Sequence, residues 1–386
     1  MSRRVAALGL AAVALAVLVG SVPIASSGAP VSTAQHAIER VLDQREQAVR
    51  TADADSWLTT LDRRANSAQW AQFAALGRLG LQAWSEQLTA LDSGPNGSWR
   101  AHVQVRYRFA GDRTDAVVMA VLDITPRFLV AGSSPAASVP WEIRGARTES
   151  GRHSLVVGAA ARTVLRTYVA ELDRASASVG RLLGEPPPRL VLVIPDDWNQ
   201  AGRMVPAGAG PGLAAVTSQL GPPGTNDGPV RILADAGVLA RLDPASRTAV
   251  FGHEAFHVAC HGLGSVPLWL AEGLADYAGY RESGIKVEQA VAGLLRHARA
   301  NGPPTALPTD AAFADRRQAT WAYEGAHLAV RLLVEAHGSA DVIALYRTVA
   351  AGGPAAIEAA MQEVLGTDVA SITATWRAEV ASLATR

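Results

Sequence analysis

The chain is expected to fold as an α+β protein, and three patterns in the sequence carry that expectation. Helical periodicity occupies residues 33–81, and period-two apolar segments follow as far as residue 143. A new helix-and-strand order begins at Leu155, and everything from Asp243 onward is patterned as helix. The organisation implied is a leader at 1–31, an α+β accessory domain at 32–150, and a second domain at 151–386 with a small sheet and a mostly helical C-terminal half.

Composition narrows the function classes. The chain has 386 residues and is 49% apolar, enough for real cores in two domains. Its 35 Lys and Arg balance 35 Asp and Glu, and no basic run is interleaved with aromatics, so no nucleic-acid partner is expected. Arg3 and Arg4 precede an uncharged apolar run from Val5 to Ala25, the pattern of an export segment. Pro23 and Pro30 make cleavage after Ala25 or Ala29 unfavourable. The expectation is therefore a single uncleaved anchor in the cell membrane with the body outside, the alternative being a cleaved signal peptide and a secreted body. No cysteine follows the apolar run, so a lipoprotein is not expected. With Cys260 as the only cysteine there is no internal disulfide either, and this exported body must rely on its core.

The elements follow in order. Ile38, Val41, Leu42, Val49, Trp57, Leu58 and Leu61 mark a helix over 33–64 with a break at Asp53 and Asp55, and a second helix spans Gln69 to Leu81. Trp99 to Phe109, Ala116 to Thr125 and Trp141 to Ile143 alternate as strands. Helices followed by an antiparallel sheet loosely resemble the cone-like folds of the nuclear-transport-factor-two type. His36, His102 and His153 are read as surface histidines. Ala159 to Leu183 is an amphipathic helix stopped by Gly184 and Pro186 to Pro188, and Leu190 to Ile194 is a strand buried on both faces. Leu213 to Leu220 and Val230 to Leu233 are further strands, with a mobile turn at Gly221 to Gly228 between them. Asp243-Pro244 opens the next helix as N-cap and first-turn proline. Helices over 287–300, 320–337, 340–350, 354–365 and 368–384 complete the chain, with a loop at 301–310.

Chemistry concentrates in His253-Glu254-Ala255-Phe256-His257. Helical residues four apart share a face at about 6 Å, so both imidazoles can turn a nitrogen to one ion, with Glu254 beside it. A catalytic zinc takes three protein ligands and leaves a position open. After a turn at Gly262 to Ser265, Pro267 starts a second, antiparallel helix on which Glu272 and Asp276 are four apart. One carboxylate is expected to serve the metal and the other to accept the distal ring N–H of a ligand histidine, and Glu272 is the natural third ligand. His261 lies about 12 Å along the axis from His253, too far to share its ion on a straight helix. Cys260 is read as a small packed residue.

These residues resemble the gluzincin zinc metallopeptidases. The stretch Pro267-Leu268-Trp269-Leu270-Ala271-Glu272-Gly273 is similar to the group called peptidase MA-like domains, and the likeness covers residues 155–385. It implies that His253, His257 and Glu272 bind zinc, that Glu254 is the general base, and that Asp276 orients a ligand histidine. It also implies a sheet ahead of the metal helix whose edge strand lines the cleft; Leu213 to Leu220 is the candidate, and a plain structural strand is an equal reading. A tyrosine or histidine of the C-terminal half would donate to the oxyanion. Tyr323 and His327 are the candidates, with a packing role for either left open. The implied activity is hydrolysis of a peptide or protein substrate outside the cytoplasm. Two alternatives remain: a zinc-stabilised, non-catalytic scaffold of the cell envelope, and a zinc hydrolase of a non-peptide amide. Nothing in the sequence specifies an oligomeric state.

Overall fold

The structure is a computed structural model that describes residues 28–63, 65–204, 214–220 and 227–386. The apolar run Val5 to Ala25, and most of the turn expected at Gly221 to Gly228, lie outside the described residues. Among the described residues, no helix is long and apolar enough to cross a membrane.

The architecture is α+β. Helices α1 (Gly28–Thr51), α2 (Ala54–Thr59) and α3 (Asn66–Leu79) lead into an antiparallel meander of β1 (Ala83–Ser93), β2 (Trp99–Arg108), β3 (Ala116–Ile124) and β4 (Val130–Pro135). The break between α1 and α2 falls where Asp53 caps, its side chain accepting from the Ser56 amide. Helix α1 reaches back to Gly28, into the segment assigned to the leader. It packs on β1, where the Arg45 guanidinium and the Glu86 carboxylate form a buried pair at 2.7 Å under the Trp57 ring.

Trp141 to Ile143 is not a strand. Pro140 sets the φ of a 3-10 turn over Pro140–Glu142, the Glu142 side chain accepts from the Val139 amide, and Trp141 packs edge-on to Tyr107 at 5.0 Å. Of the strands that the periodicity missed, β1, β4 and β5 (Arg147–Ser150) are rich in polar residues, and β1 also carries a bulge between Leu88 and Ala90, whereas Ser154–Gly158 is short and buried on both faces and so shows no alternation.

A second sheet follows, ordered β5-β6-β7-β9-β8, from β6 (Ser154–Gly158), β7 (Leu190–Val193), β8 (Ala215–Gln219) and β9 (Val230–Ala234). Strands β6, β7 and β9 are parallel, while β5 and β8 are antiparallel at the edges. The division placed at residue 150 therefore runs through the β5–β6 hairpin. Helix α4 (Arg162–Leu183) crosses from β6 to β7 and packs on one face of the sheet. Alternation along β7 is the organising feature. Leu190 and Leu192 join the helical core, whereas Val191 and Val193 join a core shared with the N-terminal sheet. The second sheet is thus the middle layer between meander and helices. Arg231 on β9 and Asp112, just after β2, cross that boundary as a fully buried pair at 2.6 Å, with the guanidinium also donating to the Tyr107 hydroxyl.

A short helix α5 (Trp198–Gly202) lies on the N-terminal side, where Met204 joins that core and Arg203 donates to the Ser138 hydroxyl, and the helical layer contains α6 (Ala236–Arg241), α7 (Pro244–Cys260), α8 (Leu268–Tyr280), α9 (Val287–Ala290), α10 (Ala292–Asn301), α11 (Asp310–Ala314), α12 (Ala319–His337), α13 (Ser339–Gly352), α14 (Ile357–Leu365) and α15 (Val369–Thr385). Asp243 caps α7 through the Ser246 amide, as its sequence implies. The segment 301–310 is a loop up to α11, a short helix that no periodicity announced.

Candidate metal centre

Helices α7 and α8 meet through glycine. A Cβ at Gly252 would lie 2.7 Å from the Cα of Gly279, so only hydrogen at both positions permits this approach. On its other side α8 abuts α12, where a Cβ at Gly273 would come within 2.5 Å of the Ala326 carbonyl oxygen. Helix α7 is held to α4 as well, because the Arg247 guanidinium donates to both oxygens of Glu171.

These contacts bring the motif residues together. His253, His257 and Glu272 each present one donor atom, and the three atoms fall within 4.8 Å of one another. Glu272 Oε2 is 3.4 Å from Nε2 of both histidines, and the two Nε2 atoms are 3.0 Å apart. A four-coordinate zinc with bonds of 2.0–2.1 Å needs donors about 3.3 Å apart, so the set fits such an ion. Nδ1 of His253 lies 2.8 Å from Asp276 Oδ1; with its N–H donated there, the Nε2 lone pair of His253 turns toward the other two donors.

The electrostatics match this arrangement. Burial opposes a charged His253, but the hydrogen bonds to Asp276 and Glu272 prevail and hold its pKa well above the ordinary value. Glu272 is the converse: burial raises it, yet the bonds to His253 and His257 leave it far below the usual carboxylate range.

Around the centre is a cavity of about 730 Å³ whose lining includes His253, Glu254, His257, Glu272, Asp276 and Tyr323. Glu254 is 6% exposed, and its Oε2 accepts a 2.6 Å hydrogen bond from the Thr217 hydroxyl. Thr217 lies on β8, the edge strand expected to line the cleft, and Ala214 to Thr217 do line it. Tyr323 packs edge-on to Phe313, and burial together with the charges of Glu272, Asp276 and Glu254 keeps its hydroxyl protonated.

His327 sits elsewhere. It is 3% exposed, outside the cavity lining and tilted against the Tyr280 ring with centroids 4.7 Å apart, with burial lowering its pKa to about 4. His261 caps the end of α7 and is exposed, while Cys260 is buried with its thiol pushed up to about 12 by burial. His36 is also exposed, and His102 pairs with Asp92 at 2.8 Å.

Lining residues that sequence reasoning did not single out include Thr217, Tyr280 and Tyr346. Tyr280 carried a signal, since it is four residues beyond Asp276 on the face already singled out. The other two come from distant elements and had none. No family model matches the chain, and no curated protein matches it.

Proposed function

We propose that this chain is a zinc-dependent metallopeptidase of the gluzincin kind, working outside the cytoplasm. The observation that carries the reading is the convergence of two imidazoles and one carboxylate in a cavity where a second, hydroxyl-held carboxylate stands beside them. A purely structural metal site has no use for Glu254 next to its first ligand.

His253, His257 and Glu272 would hold the zinc, and Asp276 fixes the tautomer of His253. Zinc bound there supplies Lewis acidity toward water and the scissile carbonyl. Glu254 accepts the proton of the attacking water and passes it to the leaving amine nitrogen. Thr217 donates to Glu254 and fixes the direction of that carboxylate. Tyr323 donates a hydrogen bond to the carbonyl oxygen as negative charge develops on it. His327 supports the wall from behind Tyr280 and has no part in the chemistry. The extracytoplasmic setting rests on Arg3, Arg4 and the apolar run Val5 to Ala25.

The test is metal content by elemental mass spectrometry on the full chain beside a His253→Ala control, followed by peptide turnover of Glu254→Gln. One zinc per chain that is lost in the control, with Glu254→Gln keeping the metal and losing about 10²–10⁴-fold in rate, is expected. Absence of zinc after stoichiometric addition, or wild-type turnover by Glu254→Gln, overturns the reading.

A further inference from the structure

A second cavity, of about 520 Å³, adjoins the first and shares Cys260, His261 and Tyr346 with it. The two differ in charge. Among the described residues, the metal cavity is lined by Glu254, Glu272 and Asp276 and by no lysine or arginine. The second is lined by three guanidinium groups, Arg113, Arg189 and Arg347. Its carboxylates are already engaged: Asp112 is buried against Arg231, and Glu185 lies 3.1 Å from Arg347, a pair that cancels and leaves Arg113 and Arg189 as the bay's excess positive charge. Arg189 is held in place without being neutralised, since it donates to the carbonyls of Arg152 at 2.7 Å and Ala110 at 3.3 Å. The segments 205–213 and 221–226, which flank β8, contain no ionisable side chain, so they do not alter this balance. In a chain of zero formal net charge, the basic bay is a local feature.

Its distance from the metal donors suits a peptide. Along α7, His257 and His261 are separated by about 6 Å of helix rise. Along β8, Thr217 touches Glu254 while Gln219 lines the bay, a span of about 7 Å or two extended residues. An extended chain with its scissile bond at Glu254 therefore places a group one to three residues away among the guanidiniums.

We propose that this bay is a subsite that binds a carboxylate of the peptide substrate, making acidic peptides the favoured substrate class. The proposal rests on the peptidase reading of the adjoining centre. It also gives the N-terminal sheet a part in recognition, because Arg113 comes from the connection between β2 and β3. The carboxylate belongs either to an Asp or Glu side chain or to the peptide's C-terminus.

The test measures binding in the full-length Glu254→Gln protein, which holds peptides uncleaved, by fluorescence anisotropy. Three labelled peptides are compared: one with an internal Glu and an amidated end, its Gln isostere with an amidated end, and that isostere with a free C-terminus. Binding of one carboxylate form about tenfold tighter than the neutral amide is expected, weakening in high salt. That preference should fall in Arg113→Gln, an exposed substitution that leaves the fold intact, and vanish in the Arg113→Gln/Arg189→Gln double variant. The arm that shows the preference identifies the source of the carboxylate. Equal or absent binding of all three peptides, or a preference that survives the double variant, overturns the proposal. Cleavage by wild-type protein is scored separately. Cleavage without preference removes the subsite and leaves the hydrolase, and preference without cleavage does the reverse.

Discussion

Gly252→Ala is a single methyl group with a calculable effect on the metal centre. The added Cβ would lie 2.7 Å from Gly279 Cα and 3.0 Å from the Ala278 carbonyl oxygen, both backbone atoms that cannot rotate away. Carbon–carbon contacts relax near 3.5 Å, so α7 and α8 must separate by about 0.8 Å. His253 is the next residue on α7, and its partners Glu272 and Asp276 ride on α8. The same displacement takes the 2.8 Å bond from His253 to Asp276 to about 3.6 Å, beyond hydrogen-bond range. Overpacking of this kind costs about 1–3 kcal/mol, and loss of an orienting carboxylate weakens metal binding by roughly 10–100-fold. The assay pairs chelator competition for zinc with thermal unfolding of the metal-free protein. Gly77→Ala is the control: its Cβ meets nothing within 4 Å, so in the helix Asn66–Leu79 it should add about 0.5–1 kcal/mol and leave metal binding alone. A Gly252→Ala protein with wild-type zinc affinity and melting temperature would refute the claim that this glycine contact sets the ligand geometry.

The remaining expectations concern the same centre. Asp276→Ala should bind zinc about 10–100-fold more weakly by chelator competition while Glu254 stays in place; unchanged affinity would remove Asp276 from its orienting role. Thr217→Val should keep the metal and lose about tenfold in turnover, because the 2.6 Å bond that aims Glu254 is gone; equal turnover would make Thr217 a plain strand residue. In chelator-treated protein, His253 has a folded pKa above its ordinary value of 6.5, so the stability it contributes is complete below that pH and is lost as pH rises through the folded pKa. The melting temperature of the metal-free chain should therefore decline above about pH 6.5. His253→Gln should abolish that decline, and a decline of equal size in the variant would assign it to another group.

The centre was legible in the sequence because its geometry is mostly local. A helix fixes His253 beside His257 and Glu272 beside Asp276 by spacing alone, and a turn followed by Pro267 is enough to bring the two helices face to face. Edge strand β8 was located through its apolar pattern, but the hydroxyl that Thr217 extends to Glu254 depends on how a sheet meets a helix, and no spacing encodes that. Tyr346 arrives from α13, more than eighty residues beyond Cys260. The Tyr323 and His327 pair shows the limit of periodicity from the other side. One helical face at i and i+4 joins them, yet α12 turns Tyr323 into the cavity and His327 behind Tyr280. At Trp141 the apolar alternation was an accident of a proline-led turn. Strands β1, β4 and β5 escaped because polar edge strands leave little alternation to read.

The division of labour in the fold follows from which parts are locked. The metal donors sit on two helices that glycine contacts hold at van der Waals distance, and the Arg247–Glu171 pair ties the first of them to α4. Positions that must agree within fractions of an ångström are thus carried by regular elements. The arginine bay is assembled differently, from the β2–β3 connection, the residues after α4 and the face of α13. What brings the first of these within reach is the buried Arg231–Asp112 pair, because Asp112 immediately precedes Arg113 along the same connection. Removing one member of such a pair leaves the other charged and buried, a loss of about 3–5 kcal/mol, so the N-terminal sheet is fastened to the helical half by the same pair that places Arg113 in the bay.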